Sequence, residues 1–174
     1  MIVVAIIAVL ATLAVVGYKR LIQSSHVSEA THMIGSIRVA QETFHSETGQ
    51  YSNVSNGLTA GSLYPTAVPN GTTVAAWGIP CGACADPLAW NRLPVHADGP
   101  VRFGYATVAG VANNAPGYAA LTFDGKVVNW PAAAQITSDW YIVTAQGDLD
   151  DNNVFCTVMG TSWQKDLFID NEGE

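Results

Sequence analysis

The sequence predicts an α+β fold: a long N-terminal α-helix packed against a C-terminal antiparallel β-sheet of about four strands. Three observations predict it. An uncharged apolar run from Met1 to Tyr18 passes directly into an amphipathic stripe, and no proline occurs before Pro65. Gly49 then stands where a left-handed cap would end a helix. After Pro100 the pattern changes to period two, and Asp124-Gly125 separates two apolar runs as a two-residue hairpin does.

The first element is the apolar half of the helix, residues 1–20. Between Met1 and Tyr18 only Thr12 and Gly17 fall outside the hydrophobic set, and the first charges are Lys19 and Arg20. A run of about 18 such residues is long enough to cross a bilayer as a helix. It also accounts for much of the composition. The chain has 174 residues, 49% of them hydrophobic and only 12% charged. Without the first 18 residues the hydrophobic share drops to about 44%, near that of an ordinary globular domain. Three readings of the run compete. A cleavable secretory signal is disfavoured, because no positive charge precedes the run and no clean small-x-small site follows it. In a plain membrane anchor, Lys19 and Arg20 would pull the following domain towards the cytoplasm. In the third reading the helix waits in the membrane and later packs against copies of itself. Ala5, Ala8, Ala11 and Ala14 would then form a strip of small side chains allowing close approach. Alanine is also simply a good helix former.

The second element is the amphipathic half, residues 21–49. Val27, Ala30, Ile34, Ile37 and Phe44 fall near one face, with Ser28, Glu29, His32, Arg38 and Glu42 opposite. One helix from residue 2 to about 48 is roughly 70 Å long. A small domain cannot cover both ends of such a rod, so its first half must be buried in lipid or in neighbouring copies.

The third element, residues 50–100, is dense in Gly, Pro, Asn, Ser and Thr, with prolines at 65, 69, 80, 87, 94 and 100. Long regular structure is not expected there. The fourth, residues 101–174, holds the sheet and an acidic tail. Val101, Phe103 and Tyr105 alternate, Ala119–Phe123 and Val127–Trp130 flank the Asp-Gly pair, and Trp140–Ala145 and Val154–Val158 are further β-rich runs. A sheet of these strands, covered on one side by the helix, would bury both stripes.

The charge balance narrows function. Fourteen acidic residues stand against seven basic ones, a net charge of −7. A disordered chain would be less hydrophobic and more charged. A nucleic-acid binder would show a basic patch, and seven Lys and Arg supply little of one, so specific nucleic-acid binding is not expected. There is no Gly-x-Ser-x-Gly, no glycine-rich phosphate loop and no paired catalytic motif. An enzyme is therefore not expected.

The segment Met1-Ile-Val-Val-Ala-Ile-Ile-Ala-Val-Leu10, continued through Gly17-Tyr18 and the amphipathic half, resembles the N-terminal helix of type IV pilins and pseudopilins. Ala40–Tyr51, with an aromatic followed by Gly-x-Tyr, resembles the end of that helix. Gly147-Asp-Leu-Asp150 and the closing Asn171-Glu-Gly-Glu174 resemble C-terminal segments of some bacterial major pilins. Met1 reads as a point just inside the family's cleavage motif, with the leader and the first mature residues, one of them acidic, not in the sequence. Val16 stands where many members carry a helix-breaking Pro, and Ala8 where they carry Gly.

The resemblance implies a ladle-shaped subunit of an extracellular helical filament, stored in the inner membrane before assembly. Ile2, Ala5, Ile6, Ala8, Val9, Ala11, Leu13 and Val16 would pack at the filament core. It implies copies of the same chain, a prepilin peptidase, a membrane platform and a cytoplasmic ATPase as partners. Adhesion, twitching motility or DNA uptake would be the outcome. The alternatives are a pseudopilin of a type II secretion system, a minor pilin, and a membrane-anchored binding module such as a sugar-binding adhesin.

Two constellations bear on chemistry. Cys81-Gly-Ala-Cys84 has redox-motif spacing but lies in a Pro-rich loop, and His96 would have to complete a zinc site with Cys81, Cys84 and Cys156. In an exported protein a structural disulfide is the plainer reading: Cys81 with Cys84, or one of them with Cys156. The latter closes a loop of about 70 residues, on the order of 4 kcal/mol by loop entropy. Asp148, Asp150 and Asn152 place side-chain oxygens at alternate positions, as calcium ligands do, and some related pilins and pseudopilins bind calcium in such loops. The competing reading is a solvated acidic turn. No other cofactor is expected. His26 and His32 fall on different helix faces and read as solvated, and the five tryptophans read as core or interface residues, with sugar stacking as the sharper alternative.

Overall fold

The computed structural model describes residues 2–70, 73–78, 87–123 and 125–172. Its first element is a single uninterrupted helix, α1 (Ile2–Thr48, 47 residues). Gly17 does not break it. Its end is fixed as the sequence predicts. Gly49 adopts φ 77°, and its N–H donates to the His45 carbonyl at 2.8 Å, the bond that satisfies a terminal carbonyl in a left-handed cap.

A short helix, α2 (Pro87–Trp90), lies in the long connection. The strands are β1 (Gly104–Gly110), β2 (Leu121–Phe123), β3 (Lys126–Val128), β4 (Trp140–Gly147), β5 (Cys156–Thr161) and β6 (Phe168–Asp170), with a 3-10 turn at Ala133–Gln135. Four of them form an antiparallel sheet in the order β1-β4-β5-β6. The register sets Thr144 opposite Ala106 on one side and opposite Met159 on the other. The α+β arrangement of long helix and four-stranded antiparallel sheet is thus as the sequence predicts.

The membership of the sheet differs from expectation. The Asp-Gly hairpin forms, with Leu121 opposite Val128 and Gly125 at φ 69°, but it is a separate two-stranded ribbon. Asp124 itself lies outside the described residues. The fourth strand of the main sheet is instead β6, within what reads as an acidic tail. It pairs with β5 through Val158 opposite Ile169.

The central strands β4 and β5 are buried on both faces. Tyr141, Val143, Ala145, Cys156 and Val158 join the helix stripe of Val27, Ala30, Met33, Ile34 and Ile37 in one core. Trp140, Ile142 and Met159 turn the other way and join Leu58, Leu121, Phe123 and Ile136 in a second core. The β2–β3 ribbon covers that side, with Phe123 5.8 Å from Phe168. Two-sided burial explains why β4 reads as a nearly continuous apolar run rather than as an alternation.

The helix sits close on the sheet because β5 carries Gly160. A Cβ there would come within 3.3 Å of Ile34 and 3.0 Å of Leu167. The long connection is not loose either. The Tyr64 and Tyr105 backbones exchange hydrogen bonds, as do those of Ala75 and Val101, and the Ser55 N–H donates to the Thr107 carbonyl. Tyr64, Trp77, Trp90 and Tyr105 meet ring to ring behind these pairs, with Tyr64 and Trp90 stacked at 5.6 Å.

Candidate functional site

The most distinctive surface is the first half of α1. Every described side chain from Ile2 to Ile22 is exposed, and Val27 is the first buried one. The exposures are large: Ile2 is 78% open and Leu13 64%. Burying one such side chain stabilises by roughly 1.5–3 kcal/mol. Ten large aliphatic residues between Ile2 and Val16 therefore carry a strong drive to leave water. The helix is long and apolar enough to cross a membrane.

All eight residues expected at a filament core, Ile2, Ala5, Ile6, Ala8, Val9, Ala11, Leu13 and Val16, lie on this exposed stretch. The structure corrects one detail of their arrangement. At 3.6 residues per turn, a three-residue step rotates about 300°. Ala5, Ala8, Ala11 and Ala14 therefore wind around the rod, and Ala5 and Ala14 face opposite ways. They make notches on several sides instead of one strip. The Ala5 notch is walled by Ile2, Ile6, Val9 and Leu10. That pattern suits a rod with several neighbours more than one paired along a single seam.

The other half of α1 is tied down by polar contacts as well as by its apolar stripe. Arg38 donates from both guanidinium nitrogens to the carbonyls of Lys165 (3.1 Å) and Gln164 (3.2 Å). Gln41 is completely buried, with its side-chain amide bonded to Ser52 and Thr107. Tyr51 donates to the Glu42 carboxylate (3.1 Å to Oε2) and stacks on His45 at 4.3 Å. Burial first, and the neighbouring Glu42 charge second, push the Tyr51 hydroxyl up to about 12. Sequence reasoning missed Gln41, which looks like one more polar helix residue until its partners are in place.

The acidic turn after β4 is held together internally. The buried Asp148 carboxylate accepts from the backbone N–H groups of Asp151 (2.7 Å), Asn152 (3.2 Å) and Asn153 (2.9 Å). Asn152 donates to Asp150 and accepts from the Val154 N–H. Asp151 and Asn153 both take φ 65°, as short polar side chains allow. Asp148, Asp150 and Asn152 are thus neighbours, but their oxygens face the chain's own N–H groups, an arrangement that fits a self-capped turn better than a calcium cage. Among the described residues no group of three or more His, Cys, Asp or Glu side chains is placed to share a metal ion.

Cys156, at the start of β5, is a buried free thiol. Burial, followed by the charges of Glu172 and Asp170, pushes it up to about 12, which suppresses the reactive thiolate. Cys81 and Cys84 lie outside the described residues.

At the far end of the domain, a cleft of about 190 Å³ opens beside Trp140, Trp163 and Tyr51. Comparisons with protein-family models, with curated proteins and with solved structures find no match to this chain.

Proposed function

We propose that this chain is a structural subunit of an extracellular helical filament of the type IV pilus kind, held in the inner membrane before assembly. The observation that carries the proposal is the continuity of α1: one unbroken helix whose described side chains from Ile2 to Ile22 are all exposed, uncharged as far as Tyr18, and whose second half is locked into a folded head. Such a rod has to exchange water for lipid or for copies of itself. Notches on several sides favour many neighbours over one. Each added subunit then trades lipid contacts for helix–helix packing, and a head-to-tail contact that does not close propagates an open fibre.

The function is assembly, not catalysis. The N-terminal resemblance brings with it a processing peptidase, a membrane platform and an ATPase as partners, and adhesion, motility or DNA uptake as roles. The test is electron microscopy of material sheared from cells producing the chain with a filament-assembly system. Thin fibres with this chain as their repeating component are the expected result. A short pseudopilus or a trace component would place the chain in a secretion system or among minor subunits. A membrane protein that stays monomeric under the same conditions would overturn the filament reading in favour of an anchored binding module.

A further inference from the structure

The cleft beside Trp163 has the chemistry of a carbohydrate site. Three tryptophans meet there. Trp130 and Trp140 each lie edge-on to Trp163, at 6.5 and 6.2 Å. Two of the three are pinned. The Trp130 indole N–H donates to the Tyr118 carbonyl, and that of Trp140 to the Asn114 carbonyl. Gly110 makes room for the Trp140 ring, which would collide with any side chain at that position. Trp163 differs. It is 38% exposed, and its indole N–H has no partner among the described residues. The rigid pair thus props up an open aromatic surface, the kind of surface that carries affinity at recognition sites.

The polar groups around that surface are of mixed sense. Asp139 spends Oδ1 on the Ala112 N–H and keeps Oδ2 as a free acceptor. Gln135 accepts from the Ala132 N–H through Oε1, which leaves its amide N–H groups to donate. The Ser162 hydroxyl oxygen accepts from the Tyr141 N–H and keeps its own proton to give. Thr137 and Ser138 add two more hydroxyls. No Lys, Arg or His lines the cleft, so nothing there pairs with an anionic ligand. A quaternary ammonium would use the rings and the carboxylate but would leave the amide and hydroxyls without partners. A sugar ring uses both sets: its C–H face lies on an aromatic surface while its hydroxyls donate and accept around the edge. The volume suits one ring, with the rest of a glycan running into solvent.

We propose that this cleft binds a neutral sugar ring against Trp163, with its hydroxyls shared between Asp139 and Gln135. The site does not depend on the filament reading. Tyr51 follows the end of α1, so the cleft stands about 40 Å along the helix from its apolar half.

The experiment is titration of the detergent-solubilised full chain with hexoses, deoxyhexoses and N-acetylhexosamines, read by tryptophan fluorescence and by calorimetry, with choline chloride as a parallel arm. At least one sugar should give a saturable response in the millimolar range. Trp163→Ala should weaken it by roughly tenfold or more, and Asp139→Asn, which can keep the bond to Ala112, should weaken it without lowering the melting temperature. No saturable response to any sugar overturns the proposal. So does a response unchanged in Trp163→Ala, or saturation by choline alone.

Discussion

The side chain of Gln41 and the backbone of Ser52 bind each other at both ends. Gln41 Nε2 donates to the Ser52 carbonyl at 2.8 Å, and the Ser52 N–H donates to Gln41 Oε1 at 2.9 Å. Nε2 also donates to Thr107 Oγ1 at 2.9 Å. One buried amide thus joins the helix, the chain leaving the helix, and the edge strand β1.

Replacing that amide should be costly. Gln41→Ala leaves a buried N–H, a carbonyl and a hydroxyl without partners, and each orphaned group costs about 1–3 kcal/mol. A loss of about 3 kcal/mol or more is expected in urea denaturation of the solubilised chain, with the m-value unchanged. A loss below about 0.5 kcal/mol would mean that water or a shift of Ser52 replaces the bonds.

Tyr51 should make the fold alkali-sensitive. Its hydroxyl is held up at about 12, against about 10 in an unfolded chain. The folded state therefore keeps a proton that the unfolded state releases between those values. The associated stability is complete below about pH 10 and is lost as pH rises towards 12. Tyr51→Phe should be less stable at pH 7 by about 1 kcal/mol, for the lost bond to Glu42, and should show a flatter decline above pH 10. Parallel denaturation curves for the two proteins across that range would contradict this.

Cys156 should be inert while the protein is folded. Its thiol is buried and pushed up to about 12, so iodoacetamide at pH 8 should modify it only after denaturant is added. Peptide mass mapping checks this residue by residue. Rapid modification of Cys156 in the native protein would show that β5 opens readily.

The Asp148 turn offers a contrast between capping and metal binding. Asp148→Asn keeps one acceptor but turns an amide N–H towards the Asn153 N–H, and a loss of about 1–3 kcal/mol is expected. Because the carboxylate is already engaged by three backbone N–H groups, added calcium should leave the melting temperature of the parent chain unchanged. A calcium-induced rise that disappears in Asp148→Asn would restore the metal reading.

Ala11→Lys separates folding from assembly. Ala11 is exposed, in an apolar stretch of which no part is buried, so the circular dichroism and melting of the solubilised chain should not change. In a fibre with the apolar helices at its axis, the substitution buries an unpaired charge. Fibre yield in micrographs should fall by an order of magnitude or more relative to the parent, and normal yield would contradict an axial core.

The parts that the sequence reveals are those whose signal is periodic. Val27, Ala30, Ile34 and Ile37 announce the buried face of α1 by spacing alone, and Gly49 marks its end. β4 is legible as a strand, but burial on both faces removes the alternation that would say which way each residue points. β6 is three residues long in polar surroundings and takes its conformation from pairing with β5, which no local pattern encodes. The aromatic cleft is hidden for a similar reason. Trp130, Trp140 and Trp163 are spread along the chain; Ser162 pairing with Tyr141 across the sheet brings Trp163 to Trp140, and the Trp130 indole is held separately by the Tyr118 carbonyl. Gln41 carries no signal at all, since a buried amide and a solvated one look the same until Ser52 and Thr107 are in place.

The unbroken course of α1 also has a mechanical meaning. A pull on the apolar tip acts along the helix axis and reaches the head as shear, where α1 slides against β4 and β5. There it is opposed at once by the Ile34 and Ile37 packing, by the Arg38 fork on the carbonyls of residues 164 and 165, and by the Gln41 clamp. Contacts loaded in parallel fail together, while contacts peeled in sequence fail one by one. This head is therefore built to carry tension along the rod and to yield far more easily to a force that lifts the helix sideways off the sheet.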